Sequence, residues 1–398
     1  MNLKTYFMDG KLAESTKLVL IYSFFVITIA INISPFFEGR RELMDFGSFY
    51  AAGLKIQNGE NPYDPNSGYI FDIYFPRVGA GGKMMNLNPP ISVLIFERLA
   101  RYDPSQAMKI WQISSAILYA FLVILLAGFY RQNTTPIKFI WAFTLAGFWH
   151  TLALGQIYIP LLLFTVAGWL LMQGKRYLLA GLAIGLVIAI KPNFILWAVF
   201  LLFSGYYLTF LVAGITSLAV SIIPIFFYGV EIYTQWLEAS TLQIETLIMP
   251  GNNSILGLTA RFNATNTGIV LSIFAAAVLL VISRQNKPGV TGQLEYISAL
   301  GIIASLLASP ISWTGYTILL LPVLFSIRKW EAPVIGSAFI FSIPFGIVLN
   351  QFQNSFWQFV VFGWLYGWGI LLLLGGVFLI SRHEQHDDED QPNKLIHL

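Results

Sequence analysis

Asp45 is the residue in this chain best placed to do chemistry. In Glu42-Leu43-Met44-Asp45-Phe46-Gly47-Ser48-Phe49-Tyr50 it sits among apolar and aromatic neighbours, shortly after the first long apolar run. A carboxylate held where hydrocarbon gives way to water can take a proton from a hydroxyl while a second substrate stays in the bilayer. The plainer alternative is a helix cap, or an ion-pair partner for Arg40 or Arg41. Lys191 is the second candidate. The apolar run 177–190 before it makes a helix of only ~21 Å, short of the ~30 Å hydrocarbon core, so the lysine is expected below the membrane surface. Pro192 then opens a returning helix whose amino end presents positive potential, an arrangement that suits a phosphate. The competing reading is that Lys191 snorkels to the headgroups.

The elements that must position these groups follow from composition. With 56% apolar and 11% charged residues and a mean hydropathy of +0.68, the chain reads as an integral membrane protein. Its net charge of +3 is small and dispersed, which gives no reason to expect a nucleic-acid partner. The absence of cysteine excludes disulfides and thiol chemistry. About twelve apolar runs match the membrane ruler, at roughly 18–34, 110–130, 137–154, 157–173, 177–190, 193–204, 208–228, 266–283, 292–308, 313–327, 332–349 and 358–380. The expected fold is therefore all-α and polytopic, in one domain spanning 1–398. The first run has no small-residue cleavage site behind it and is read as a retained span.

Arg131, Lys138, Lys175, Arg176, Arg284, Lys287, Arg328, Lys329 and Arg382 fall in the short loops of one side, against Lys191 and Arg261 on the other. The positive-inside rule then puts both termini in the cytoplasm and the long segments 35–109 and 229–265 outside. In the first, 46–57 and 89–101 read as amphipathic interfacial helices separated by Gly- and Pro-rich turns. In the second, Glu231, Glu238 and Glu245 recur at heptad spacing, describing a surface-lying helix with an acidic face. The segment 383–398 reads as a solvated acidic tail on the cytoplasmic side.

The order of short motifs along the chain resembles glycosyltransferase family 87, the polyprenol-phosphate-mannose-dependent mannosyltransferases of GT-C architecture. The matching residues are Asp45, Tyr50-Ala51-Ala52, Gly59-Glu60-Asn61-Pro62-Tyr63-Asp64, Tyr74 and Asn88-Pro89-Pro90. They continue with Gly155-Gln156, Ala180-Gly181-Leu182 leading to Ile190-Lys191-Pro192, Asn252-Asn253-Ser254 with Arg261, and Ser309-Pro310-Ile311-Ser312-Trp313. The resemblance implies transfer of a hexose, mannose above all, from a polyprenyl-phosphate donor to an extracytoplasmic glycan or glycolipid acceptor. It implies Asp45 as the general base of an inverting displacement, with Lys191 and Arg261 facing the departing phosphate and Asn253 and Ser254 hydrogen-bonding sugar or phosphate. Relatives carry a histidine shortly after the Ser-Pro-x-Ser-Trp motif, where this chain has Thr314-Gly315-Tyr316, so Tyr316 is the group left to bind phosphate there.

Tyr50, Tyr63 and Trp313 are candidates to stack on sugar, although aromatic residues enrich at every membrane interface. His150, near a helix end, reads as a structural histidine. Asp64 and Asp72 do not pair at ligand spacing and no nucleotide-binding motif occurs, so neither a metal nor another cofactor is expected. Two other classes compete: a transporter or flippase of lipid-linked sugars, and an inactive assembly subunit. The first is disfavoured because no internal repeat occurs and almost no ionisable residue falls in mid-span.

Overall fold

The computed structural model describes residues 3–37, 43–76, 79–241, 244–285 and 292–389. Every apolar run read from the sequence is largely helical, some of them over two or three successive helical elements. Among the described residues, five helices are long and apolar enough to cross a membrane, and seven spans result if each of two bent helix pairs counts as one. The pairs are Ala332–Ser342 with Phe345–Gln351, bent by 79°, and Phe356–Gly363 with Leu365–Ile380, bent by 51°. The remaining apolar helices, Tyr158–Gln173, Tyr177–Ile190, Pro192–Phe203, Gln293–Leu307 and Thr314–Ser326, are shorter. These form the centre of the bundle. Trp169, Ile184, Trp197, Leu300 and Leu319 are all fully buried, whereas the first helix over Ser15–Ser34 and the long helices Tyr207–Tyr228 and Thr265–Gln285 lie on its rim with most of their described apolar side chains exposed. Apolar faces turned outward in this way are what a lipid solvent permits.

Close approach depends on glycine where short helices cross. A Cβ on Gly185 would stand 2.7 Å from the Ala213 carbonyl, and on Gly301 2.9 Å from the Trp197 Cα, so backbones meet where larger residues would hold them apart.

The long segment after the first helix is more deeply embedded than its amphipathic pattern implies. Helix Met44–Gln57 buries Asp45 through Gly53 as a continuous stretch, and its Gly53 lies against the Phe96 backbone of helix Ile91–Leu99. Between them, the stretch read as a Gly-rich turn forms a hairpin, with Asp72–Phe75 antiparallel to Ala80–Lys83 and Asp72 opposite Lys83. In the later segment, the acidic stripe is interrupted. Glu231 and Glu238 are exposed on helix Glu231–Thr241, while Glu245 lies on a separate 3₁₀ turn, Ile244–Ile248. Ile232 and Ala239 on the neighbouring face are buried with Tyr63, Met85 and Val93, joining the two segments through a small apolar core.

Candidate active site

Asp45 lies in the first turn of Met44–Gln57, directly after Met44, whose φ of 51° is left-handed. Such a conformation is uncommon for a residue with a Cβ and turns the chain sharply into the helix. The helix cap is Leu43, without a side-chain hydrogen bond, so the carboxylate does not act as a cap. Arg40 and Arg41 lie outside the described residues. Asp45 is 5% exposed; its Oδ2 accepts from Gln156 Nε2, and its Oδ1 has no partner.

Gln156 is presented by Gly155, the left-handed terminus (φ 67°) of helix Ala146–Leu154. A Cβ on Gly155 would come 2.7 Å from the Phe46 Cβ, so glycine both ends this helix and lets Met44–Gln57 abut it. Burial pushes the Asp45 carboxyl up to about 6, with the Gln156 bond pulling in the opposite direction. Near neutral pH this group is ionised yet basic enough to accept a proton, the range useful to a general base.

Asp45 faces a cleft of about 230 Å³ whose other polar lining comes chiefly from Gln156, His150, Tyr158 and Trp313. Apolar side chains make up most of the wall, including Ile31 of the first helix and Phe345 of the bent pair. Tyr158 leads on to Lys191. Its ring is 4.4 Å from that of Tyr316, and the Lys191 Nζ lies 5.5 Å from each ring centroid. Lys191 is half-buried and, among the described residues, makes no ion pair. The Tyr158 ring needs Gly315 beside it, because any Cβ there would overlap the ring. A cation lying beside a pair of packed aromatic rings is stabilised without its charge being cancelled by a carboxylate.

Of the residues read from the sequence, the structure thus brings Asp45 and Trp313 to the cleft, with Tyr316 and Lys191 behind Tyr158. The others lie elsewhere. Tyr50 donates to the Tyr102 carbonyl at 3.0 Å and Tyr63 to that of Asn88 at 2.9 Å, both buried as ties within the long first segment. Asp64 accepts from Lys55 at 2.9 Å, and this cation holds its carboxyl below the usual range.

Asn253, Ser254 and Arg261 belong to a clasp between two of the motifs. Asn252 Oδ1 accepts from Ser312 N at 2.9 Å, Asn253 N donates to the Ser312 carbonyl at 2.7 Å, and Ser254 Oγ caps the next helix through Gly257 N. Arg261, 3% exposed, donates to the carbonyls of Met249, Asn252, Gly257 and Gly363. Its remaining donor, Nε, has no partner and lies against Gly363. The clasp sets Trp313 and Met249 in the cleft wall.

Sequence reading missed His150 and Tyr158 as site residues. Tyr158 carried a signal, standing two residues beyond the Gly155-Gln156 motif; His150 carried none, being a lone histidine in an apolar helix.

The fold and cleft define an all-helical, multi-pass membrane protein with one buried acid at an apolar groove. The family model for glycosyltransferase family 87 matches residues 86–310, more than half of the chain, and the chain belongs to that family. It is a membrane glycosyltransferase. The matched region includes Gln156, Tyr158, Lys191 and Arg261, while Asp45, Tyr50, Tyr63, Trp313 and Tyr316 fall outside it. No curated protein and no solved structure gives a match.

Proposed function

We propose that the protein transfers a hexose, most readily mannose, from a polyprenyl phosphate to the hydroxyl of a glycan or glycolipid on the extracytoplasmic face. The observation that carries this reading is the divided state of the Asp45 carboxylate. One oxygen is fixed by Gln156 and the other, unpartnered, belongs to a group lining a largely apolar cleft. An acid so oriented is supplied with everything a base needs except the hydroxyl.

In the proposed step the acceptor oxygen attacks the anomeric carbon and the bond from that carbon to the phosphate oxygen breaks, its electron pair remaining on phosphate. The hydroxyl proton passes to Asp45 Oδ1, and the single displacement inverts the anomeric centre. The leaving group is a polyprenyl phosphate carrying one more negative charge than the donor had. Lys191, beside the rings of Tyr158 and Tyr316 and without an ion-pair partner among the described residues, stabilises that charge as it grows. Tyr316 supports it, Trp313 offers a face to the sugar, and the apolar wall takes the prenyl chain. Arg261, Asn253 and Ser254 act by positioning the wall that carries Trp313.

The test supplies radiolabelled polyprenyl-phosphate sugars to membranes containing the wild type or Asp45→Asn. Transfer is expected to fall about a thousandfold in the variant, within the range for a lost general base. Undiminished transfer in Asp45→Asn removes this residue from the mechanism.

A further inference from the structure

Helix Ala146–Leu154 ends at Gly155 and so at Gln156, the residue that holds Asp45. At ~1.5 Å of rise per residue, His150 stands about 6 Å back along the axis from Leu154, one turn further from the Asp45 end. It lines the same cleft. Its ring packs edge-on against Phe345 with centroids 4.3 Å apart, and its buried Nδ1 has no hydrogen-bond partner. A buried ring nitrogen without a partner is costly, and an apolar wall at this position would be served as well by phenylalanine. Two cleft-lining groups, Asp45 and His150, therefore keep a buried polar atom unspent.

We infer that His150 binds the phosphate of the lipid carrier, with Nδ1–H donating to a phosphate oxygen. The inference rests on the reading of the donor as a polyprenyl-phosphate sugar, whose groups follow a fixed order: the glycosyl carbon, the phosphate, then the chain. With the reacting carbon at Asp45, the phosphate comes next along the cleft and the chain beyond it, against Phe345 and the first helix. His150 stands at the phosphate's place in that order. When the bond to the anomeric carbon breaks, the electron pair it leaves makes the phosphate oxygens stronger acceptors, so the His150 bond tightens in the transition state. Lys191, beside the Tyr158 ring, supplies undirected charge; His150 supplies a directed bond.

The test uses the full-length protein in lipid nanodiscs, reading the fluorescence of Trp149 and Trp313, which line the cleft. The probes are a polyprenyl monophosphate and the polyprenol of the same chain length. The wild type is expected to prefer the phosphate, and His150→Phe to lose about tenfold in affinity for it while binding the alcohol as before. His150→Asn places an amide nitrogen near the Nδ1 position and is expected to recover most of the loss; His150→Gln, which extends past it, recovers less. These two variants decide the matter if His150→Phe folds poorly. Equal weakening of both probes, or of neither, in a series whose wild type prefers the phosphate overturns the role of His150 alone. A wild type indifferent to the phosphate overturns the donor reading itself.

Discussion

Two buried polar clusters sit side by side in this molecule and differ in how densely their polar atoms are bonded. In the clasp around Arg261, four backbone carbonyls accept from one guanidinium, and Asn252 and Ser254 are bonded across to the Pro310 and Ser312 backbone. In the cleft, Asp45 keeps one oxygen and His150 one nitrogen without partners. The clasp leaves over only Asn253 Oδ1 and Arg261 Nε, the latter pressed against Gly363 rather than facing the cleft. Satisfied groups hold a structure; withheld ones are available to a ligand. Both clusters supply motifs of the family resemblance, so a motif residue can serve either purpose.

Four changes break or sharpen this contrast. The largest effect is expected from Arg261→Ala, which strands several carbonyls and is expected to cost about 3–5 kcal/mol, seen as loss of folded protein on size-exclusion chromatography. Lysine at this position cannot satisfy four diverging carbonyls and is expected to rescue little. An Arg261→Ala protein that folds and melts normally but fails to bind polyprenyl phosphate would move Arg261 from the clasp to the site.

Lys191→Gln should fold normally and lower the turnover of bound donor about ten- to a hundredfold, because one positive charge is withdrawn from the leaving group. A rise in KM with kcat unchanged would instead make Lys191 a ground-state anchor.

Next comes pH. In its proposed role as base Asp45 is active as the carboxylate, so transfer is expected to rise with pH through about 6 and to level off above it. About one unit below that midpoint, the rate should be about a tenth of the plateau. The stability consequence has the opposite sign. A carboxyl raised from 3.8 to about 6 favours the protonated folded protein, so its contribution is complete below the unfolded value and is lost as pH rises through 6. Asp45→Asn should therefore melt no lower than the wild type, and above it at about pH 8, by a margin on the order of 1 kcal/mol.

The smallest change is Gln156→Leu. The Gln156 bond lowers the Asp45 carboxyl, so its removal moves the acid limb of the rate profile upward, by roughly a unit or less. An unmoved limb, with only the plateau reduced, would make Gln156 a positioning group alone.

The helices were legible in the sequence because apolar runs of membrane length leave few alternatives, and Asp45 was legible as a carboxylate stranded among aromatics. The hairpin was not. Gly81 and Gly82 carry no side-chain alternation, and Gly81 is used because a Cβ there would meet Tyr74 at 2.7 Å. Arg261 was legible as a cation near a motif, but whether a cation meets phosphate or carbonyls depends on how Met249–Ser254 folds back over it. His150 was illegible because its free nitrogen arises from a distant partner, Phe345, which covers the ring without bonding to it.

The first helix, Leu3–Phe37, buries little of its apolar stretch Ser15–Ser34, and touches the bundle through Phe25, Thr28 and the ring contacts of Phe24 with Phe339 and Phe36 with Trp149. Yet Ile31 and Asn32 from this helix complete one side of the cleft. A partition so lightly fastened is compliant. It can sway outward by slippage of a few rings, with every helical bond intact, which is what edgewise entry of the proposed donor's prenyl chain would require. The pace of such an exchange is then set as much by the lateral pressure and fluidity of the surrounding lipid as by the protein.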